Sequence, residues 1–221
     1  MKVAAIQMPT VKDKMQNIRT AGTYMKKIKA EQPDFVILPE MFCCPYQTEN
    51  FPIYAEKEGG PSWQAMSDYA GKYHIYLIAG SMPEVDEAGN VYNTSYIFDR
   101  DGKQIGKHRK AHLFDINVKN GQYFKESDTL TSGDHATVFD TEFGKMGVMI
   151  CYDIRFPEFA RTMALDGARM IFVPAAFNMT TGPAHWELTF RARALTIRYI
   201  CLDVLLPEIH RQDTFPGDIL L

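Results

Sequence analysis

A carboxylate, an ammonium group and a thiol stand at the ends of three segments of this 221-residue chain. Residues 35–38 (Phe-Val-Ile-Leu) and Pro39 lead to Glu40. The polar stretch after Asp99 holds the densest basic run (Lys103, Lys107, His108, Arg109) and ends on Lys110. Residues 147–150 (Gly-Val-Met-Ile) lead to Cys151, followed by Tyr152, Asp153 and a helix opened by Pro157. In open α/β sheets, ligands gather at the carboxyl ends of strands. A thiol on a strand–turn–helix elbow gains from the helix N-terminus. The partial positive charge there is expected to lower its pKa, and free backbone N–H groups can face an oxyanion. Each residue alone has a plain reading: a small buried hydrophobe for Cys151, a loop residue for Glu40, a solvated side chain for Lys110. The three together, in this order, are a stronger signal than any of them alone.

Other chemistries fit less well. The six histidines (His74, His108, His112, His135, His185, His210) include no local signature of a Cys–His hydrolase. His108 and His112 share the i, i+4 spacing of a metal pair, but no Glu follows His108 and no third ligand is evident. The four cysteines (Cys43, Cys44, Cys151, Cys201) match neither a disulfide framework nor a zinc pattern. Cys43 and Cys44 read as a buried pair beside the Glu40 loop. A net charge of −3 implies no broad basic face for nucleic acid. No apolar run approaches the roughly 20 residues of a membrane span, and the N-terminus reads as a buried strand rather than a signal peptide. The cytosol is the expected compartment.

Short apolar runs alternate with amphipathic stretches, and these must position the three groups. Strands are expected at 3–8, 35–38, 75–79, 91–98, 137–139, 147–150, 170–175 and 199–205. Helices are expected at 15–31, 62–73, from Pro157 to about Asp166, and at 186–195. This alternation is α/β, with helices covering sheets. Hydrophobic residues at 46% suit one globular domain over 1–221, with no repeat or linker.

The order Leu38-Pro39-Glu40, then Arg109-Lys110-Ala111-His112-Leu113-Phe114, then residues 147–158 around Cys151-Tyr152-Asp153, resembles the nitrilase (carbon–nitrogen hydrolase) superfamily. Residues 41–55, Tyr92-Asn93-Thr94, Phe124-Lys125-Glu126-Ser127 and 174–193 resemble its omega-amidase branch, and the likeness runs over 1–201. The resemblance implies a four-layer α-β-β-α sandwich. It implies that Cys151 attacks an amide carbonyl, that Glu40 takes the thiol proton and later activates water, and that Lys110 stabilises the oxyanion with the Tyr152 backbone N–H. Glu126 would help position Lys110 and the departing ammonia. No metal or organic cofactor is required. Omega-amidases cleave the terminal amide of α-ketoglutaramate and α-ketosuccinamate, so the pocket should hold a carboxylate. Arg155, Tyr152, Asn178, Thr180 and Thr181 are the candidate partners, with Phe42 and Phe177 as walls. Arg155 could equally form a structural ion pair with Asp153 or Glu158. Deaminated glutathione or an N-carbamoyl compound is the alternative substrate within the superfamily. A twofold dimer through the helices of 155–168 and 186–193 is expected.

The resemblance breaks after Leu195. Thr196-Ile197-Arg198 replaces an acidic–Asn–Gln/Gly stretch, and residues 202–221 form an atypical tail. An internal block of roughly 50 residues is expected to be absent, and with it strands of the second sheet, leaving unpaired edges. Two readings follow: an active amidase, or a catalytically silent protein acting in binding or assembly.

Overall fold

The computed structural model describes residues 1–117, 123–177 and 182–197, and the strands at 200–205 and 219–220. The first half runs β1 (Val3–Ile6), α1 (Lys14–Ile28), β2 (Phe35–Ile37), α2 (Asn50–Tyr54), α3 (Pro61–Tyr73), β3 (Tyr76–Ile78), β4 (Met82–Val85), β5 (Val91–Phe98) and β6 (Gln104–Arg109). The second half runs β7 (Asp115–Asn117), β8 (Tyr123–Lys125), β9 (Thr137–Thr141), β10 (Gly144–Val148), α4 (Pro157–Leu165), β11 (Met170–Ala175), α5 (Gly182–Ile197), β12 (Ile200–Leu205) and β13 (Ile219–Leu220).

Local sequence explains the helices. The Asp13 side chain caps α1 by accepting from the Gln16 N–H at 3.1 Å. Ile18, Ala21, Met25 and Ile28 then fall on its buried face. Pro61 opens α3, and His74 ends it in the left-handed region.

The strands alternate, and the alternation builds the layers. One sheet has the order β13-β1-β2-β3-β5-β4, with β6 paired to β5. Ala4, Ile6, Val36 and Leu77 pack on one face of it, in one core with Ile18 and Met25 of α1 and Met66 of α3. Their neighbours Phe35, Ile37, Tyr76 and Ile78 face the other way and meet Phe139, Met146, Val148, Met170 and Phe172 of the second sheet. The Phe35 and Phe172 rings lie 5.2 Å apart across that interface. Ile171, Val173 and Ala175 point outward from the second sheet, in one core with Ala160 and Met163 of α4 and Phe190 of α5. The order is helix, sheet, sheet, helix. Full burial of each large apolar side chain contributes about 2 kcal/mol.

The second sheet has the order β12-β11-β10-β9, with β10, β11 and β12 parallel. Among the described residues β12 is an edge strand, pairing only with β11.

Several elements depart from the sequence expectations. Strand β6 occupies the basic run, because its polar side chains find buried partners rather than solvent. Lys107 and Arg109 both bond Glu84 of β4, and His108 and Lys110 are fully buried. The hairpin β7–β8 and helix α2 are too short to carry a periodic signal. Between Cys151 and α4 lies a 3₁₀ turn, Cys151–Arg155, so the long helix begins six residues after the thiol.

Candidate active site

Three strand ends converge. Strands β1, β2 and β3 are parallel, and β5 is antiparallel to β3. Strand β6 is antiparallel to β5, so it runs with β2 and finishes at the same end. Glu40 follows β2, Lys110 follows β6 and Cys151 follows β10 of the facing sheet.

Lys110 is the centre of the cluster. Its Nζ lies 2.8 Å from Glu40 Oε1 and 2.9 Å from the Glu126 carboxylate, with all three side chains fully buried. Its backbone is fixed on both sides. The Lys110 N–H donates to Asn93 O, and Lys110 O accepts from Gly133 N–H, each at 2.8 Å. Burial alone would strip the Lys110 ammonium of its proton. The carboxylates of Glu126 and Glu40 overturn that and raise its pKa well above the ordinary value.

Glu126 is held independently. Its carboxylate accepts from the Tyr46 hydroxyl and the Phe114 backbone N–H, both at 2.7 Å. Burial and the neighbouring Glu126 and Glu40 charges raise the Tyr46 pKa, so the phenol stays a donor. Asn93 donates from Nδ2 to Glu40 Oε1 at 2.9 Å. Tyr46 and Asn93 are site residues that sequence reasoning missed. Asn93 stood inside a stretch matched to the resembled branch, but an Asn on a strand carries no signal of the carboxylate it will meet.

Glu40 Oε2 is buried without a hydrogen-bond partner. Burial, joined by the Glu126 charge, raises the Glu40 pKa against the pull of Lys110. The Cys151 thiol is close enough to this carboxylate to bear on its pKa. Burial and the Glu40 charge push the Cys151 thiol well above its ordinary value. The expectation of a thiol made acidic by a helix end is therefore corrected. The thiol rests protonated, with a carboxylate at hand to take its proton.

Backbone geometry marks the same places. Cys151 has φ +47° and Met41, next to Glu40, has φ +51°. Both are in the left-handed region that L side chains avoid, at a cost of roughly 1–2 kcal/mol each. The elbow is held by Asp153, whose Oδ2 accepts from the Ile150 N–H at 2.9 Å and lies 3.1 Å from His108 Nε2. Its Oδ1 lies 2.8 Å from the His112 N–H and 2.7 Å from His112 Nδ1. Burial would raise the Asp153 pKa, but these hydrogen bonds hold it far below the ordinary carboxylate range. The i, i+4 histidines thus converge on one carboxylate.

Cys151 lines a small cavity of about 20 Å³ together with Tyr46, Phe114, Tyr152, Arg155, Ala176 and Phe177. Of the expected substrate-binding residues, Tyr152, Arg155 and Phe177 are on its wall. Phe42 is not. It is fully buried in the core beneath α1 and α3, because it follows the Met41 turn inward. Asn178, Thr180 and Thr181 lie outside the described residues. Arg155 pairs with neither Asp153 nor Glu158. Its Nη1 lies 2.9 Å from His185 Nδ1, and its Nε is buried without a partner. The guanidinium sits 5.4 Å from the Tyr152 ring and 5.2 Å from the Phe177 ring. Among the described residues it makes no ion pair. A thiol, a buried carboxylate, a buried ammonium group and a guanidinium therefore lie together at one small site.

Known proteins resemble this chain in sequence and in fold. The family model described as carbon-nitrogen hydrolase matches residues 2–204. The chain is 48% identical over 202 residues to "Omega-amidase NIT3" of Saccharomyces cerevisiae, covering 88% of this chain and 69% of that protein. It is 47% identical over 194 residues to "Omega-amidase NIT2" of Mus musculus, covering 88% and 70%. The crystal structure of Saccharomyces cerevisiae Nit3, described as a member of branch 10 of the nitrilase superfamily, superposes with a TM-score of 0.87 at 39% identity. It covers all of this chain and 82% of that one. Across these curated relatives and "Nitrilase homolog 2" of Dictyostelium discoideum, the chain spans between 60% and 70% of their lengths.

Proposed function

The chain belongs to the carbon–nitrogen hydrolase family, and from that premise we propose that it is an amidase of the omega-amidase type. It cleaves the terminal amide of a small carboxylated substrate such as α-ketoglutaramate or α-ketosuccinamate, releasing ammonia and the 2-oxo acid. The observation that carries this reading is Lys110, buried between Glu40 and Glu126 beside Cys151.

The chemistry follows from the charges. The thiol of Cys151 gives its proton to Glu40 as sulfur attacks the amide carbonyl. The developing oxyanion is stabilised by the Lys110 ammonium and the Tyr152 backbone N–H. The proton on Glu40 passes to the leaving nitrogen, ammonia departs, and a thioester remains on Cys151. Water, deprotonated by Glu40, then attacks the thioester, the 2-oxo acid leaves, and Glu40 returns that proton to the departing Cys151 sulfur. Glu126 keeps Lys110 fixed throughout, so no reorganisation is needed as charge develops. Substrate choice is supported by Arg155, whose guanidinium lines the cavity, makes no ion pair among the described residues and suits a carboxylate at the far end from the amide.

The test is ammonia release from α-ketoglutaramate and a panel of small amides. Wild-type protein should turn over the carboxylated amides, and Cys151→Ala should lose at least about 10³-fold. A well-folded wild type with no turnover on any amide would favour the silent reading instead.

A further inference from the structure

We propose that His185 is a positioning residue that aims the Arg155 guanidinium into the cavity while leaving its charge available to the substrate. This rests on the reading of Arg155 as the carboxylate partner, and it adds a residue, and a reason, for the choice of carboxylated amides.

Arg155 ends the turn that begins at Cys151. Its guanidinium has five N–H donors and no acceptor. The flanking rings of Tyr152 and Phe177 favour a cation over their faces but do not fix which edge points where. Among the described residues, the directional contact is the 2.9 Å bond from Nη1 to His185 Nδ1. Because the guanidinium can only donate, Nδ1 must accept, and the imidazole is neutral with its proton on Nε2.

That neutrality is the point. Arginine side chains are most often oriented by carboxylates, which cancel their charge. Glu84 does this to Arg109 of the same protein, at 2.7 Å. A neutral acceptor orients Arg155 without cancelling it. His185 is well placed to do so. It lies in the first turn of α5, beside Trp186, whose ring packs on Phe177 at 4.7 Å. Further along α5, Arg193 Nε donates to Ile154 O at 2.9 Å. The helix is therefore pinned to the elbow at two points about two turns apart.

The experiment compares isosteric substitutions. His185→Asn keeps a neutral acceptor near the Nδ1 position. His185→Asp keeps an acceptor but adds a negative charge, and an Asp in a first helical turn does not disfavour folding. His185→Phe keeps the ring without the acceptor. The readout is the ratio of kcat/KM for α-ketoglutaramate to that for an uncharged amide of matched length. His185→Asn should hold this ratio within about threefold of wild type. His185→Asp and His185→Phe should each lower it about tenfold or more, mainly through KM for the carboxylated substrate. Binding of 2-oxoglutarate to Cys151→Ala protein, by titration calorimetry, should rank the three variants in the same order without turnover. An Asp variant that matches Asn would overturn the proposal, as would a Phe variant that matches wild type. Arg155→Met separates the two levels. If it lowers the ratio while His185→Asp does not, the role of His185 falls and that of Arg155 stands. If it leaves the ratio unchanged, both fall.

Discussion

Glu40 has two unequal oxygens. Oε1 accepts from Lys110 and Asn93, while Oε2 is buried with no hydrogen-bond partner and is left for the thiol proton. A base must be ionised to act, and burial raises the Glu40 pKa above its ordinary 4.5. Activity should therefore fall as pH drops through a value above 4.5, the sign expected for a raised carboxylate. Asn93→Ala removes one donor to the ionised form, so the acid limb of kcat/KM should move up by about one pH unit. A limb that stayed put would argue that Asn93 holds only backbone. That Glu40, Lys110 and Cys151 belong together was legible from residue types and order. The protonated state of the thiol was not, since a helix N-terminus can be read from sequence and a neighbouring buried carboxylate cannot. Arg155 could be named but not resolved between structural pair and ligand, because its alternative partner, Asp153, turns to two histidines from a distant strand and loop.

Short turns between elements set the site to ångström tolerance. Ser81 accepts the Met41 N–H on Oγ at 3.0 Å, and the Ser81 N–H donates to Pro39 O at 3.3 Å. The turn after β3 therefore grips the loop that carries Glu40. Gly80 makes the approach possible. It has φ +53°, and a Cβ there would lie 2.1 Å from Pro39 O. Gly80→Ala should cost about 3 kcal/mol of stability and lower kcat about 10- to 100-fold by shifting Glu40. Gly89 also has positive φ but open space around it. Gly89→Ala should cost about 1 kcal/mol without changing kcat. Thermal melts and kinetics on the pair check this, and equal effects from the two would show strain alone at work. The long apolar strands and amphipathic helices were readable from periodicity, because both faces of each sheet are buried by alternating residues. Strand β6 was not. A run of Lys, His and Arg reads as solvated until Glu84 and Asp153, far away in sequence, bring it inside.

At the scale of the whole molecule, two facing sheets deliver Glu40 and Lys110 from one side and Cys151 from the other. The four layers are what make three distant residues neighbours. Helices α4 and α5, on the outer face, leave Leu165, Leu188 and Leu195 exposed. The twofold dimer expected from the sequence would pair through that face, and light scattering should then give twice the chain mass of 25.2 kDa. A clean monomer would remove that proposal without touching the chemistry. The shortened length relative to known relatives leaves the family match intact over residues 2–204, which contain every member of the charge cluster. The central claim is that Cys151 carries the acyl group, with Glu40 and Lys110 arranged to place it there. Rapid quenching during turnover of α-ketoglutaramate, followed by peptide mass spectrometry, tests this most directly. The account predicts a transient acyl adduct on the Cys151 peptide that is absent from Cys151→Ala. Turnover that persists in Cys151→Ala, or an adduct on any other residue, would contradict it.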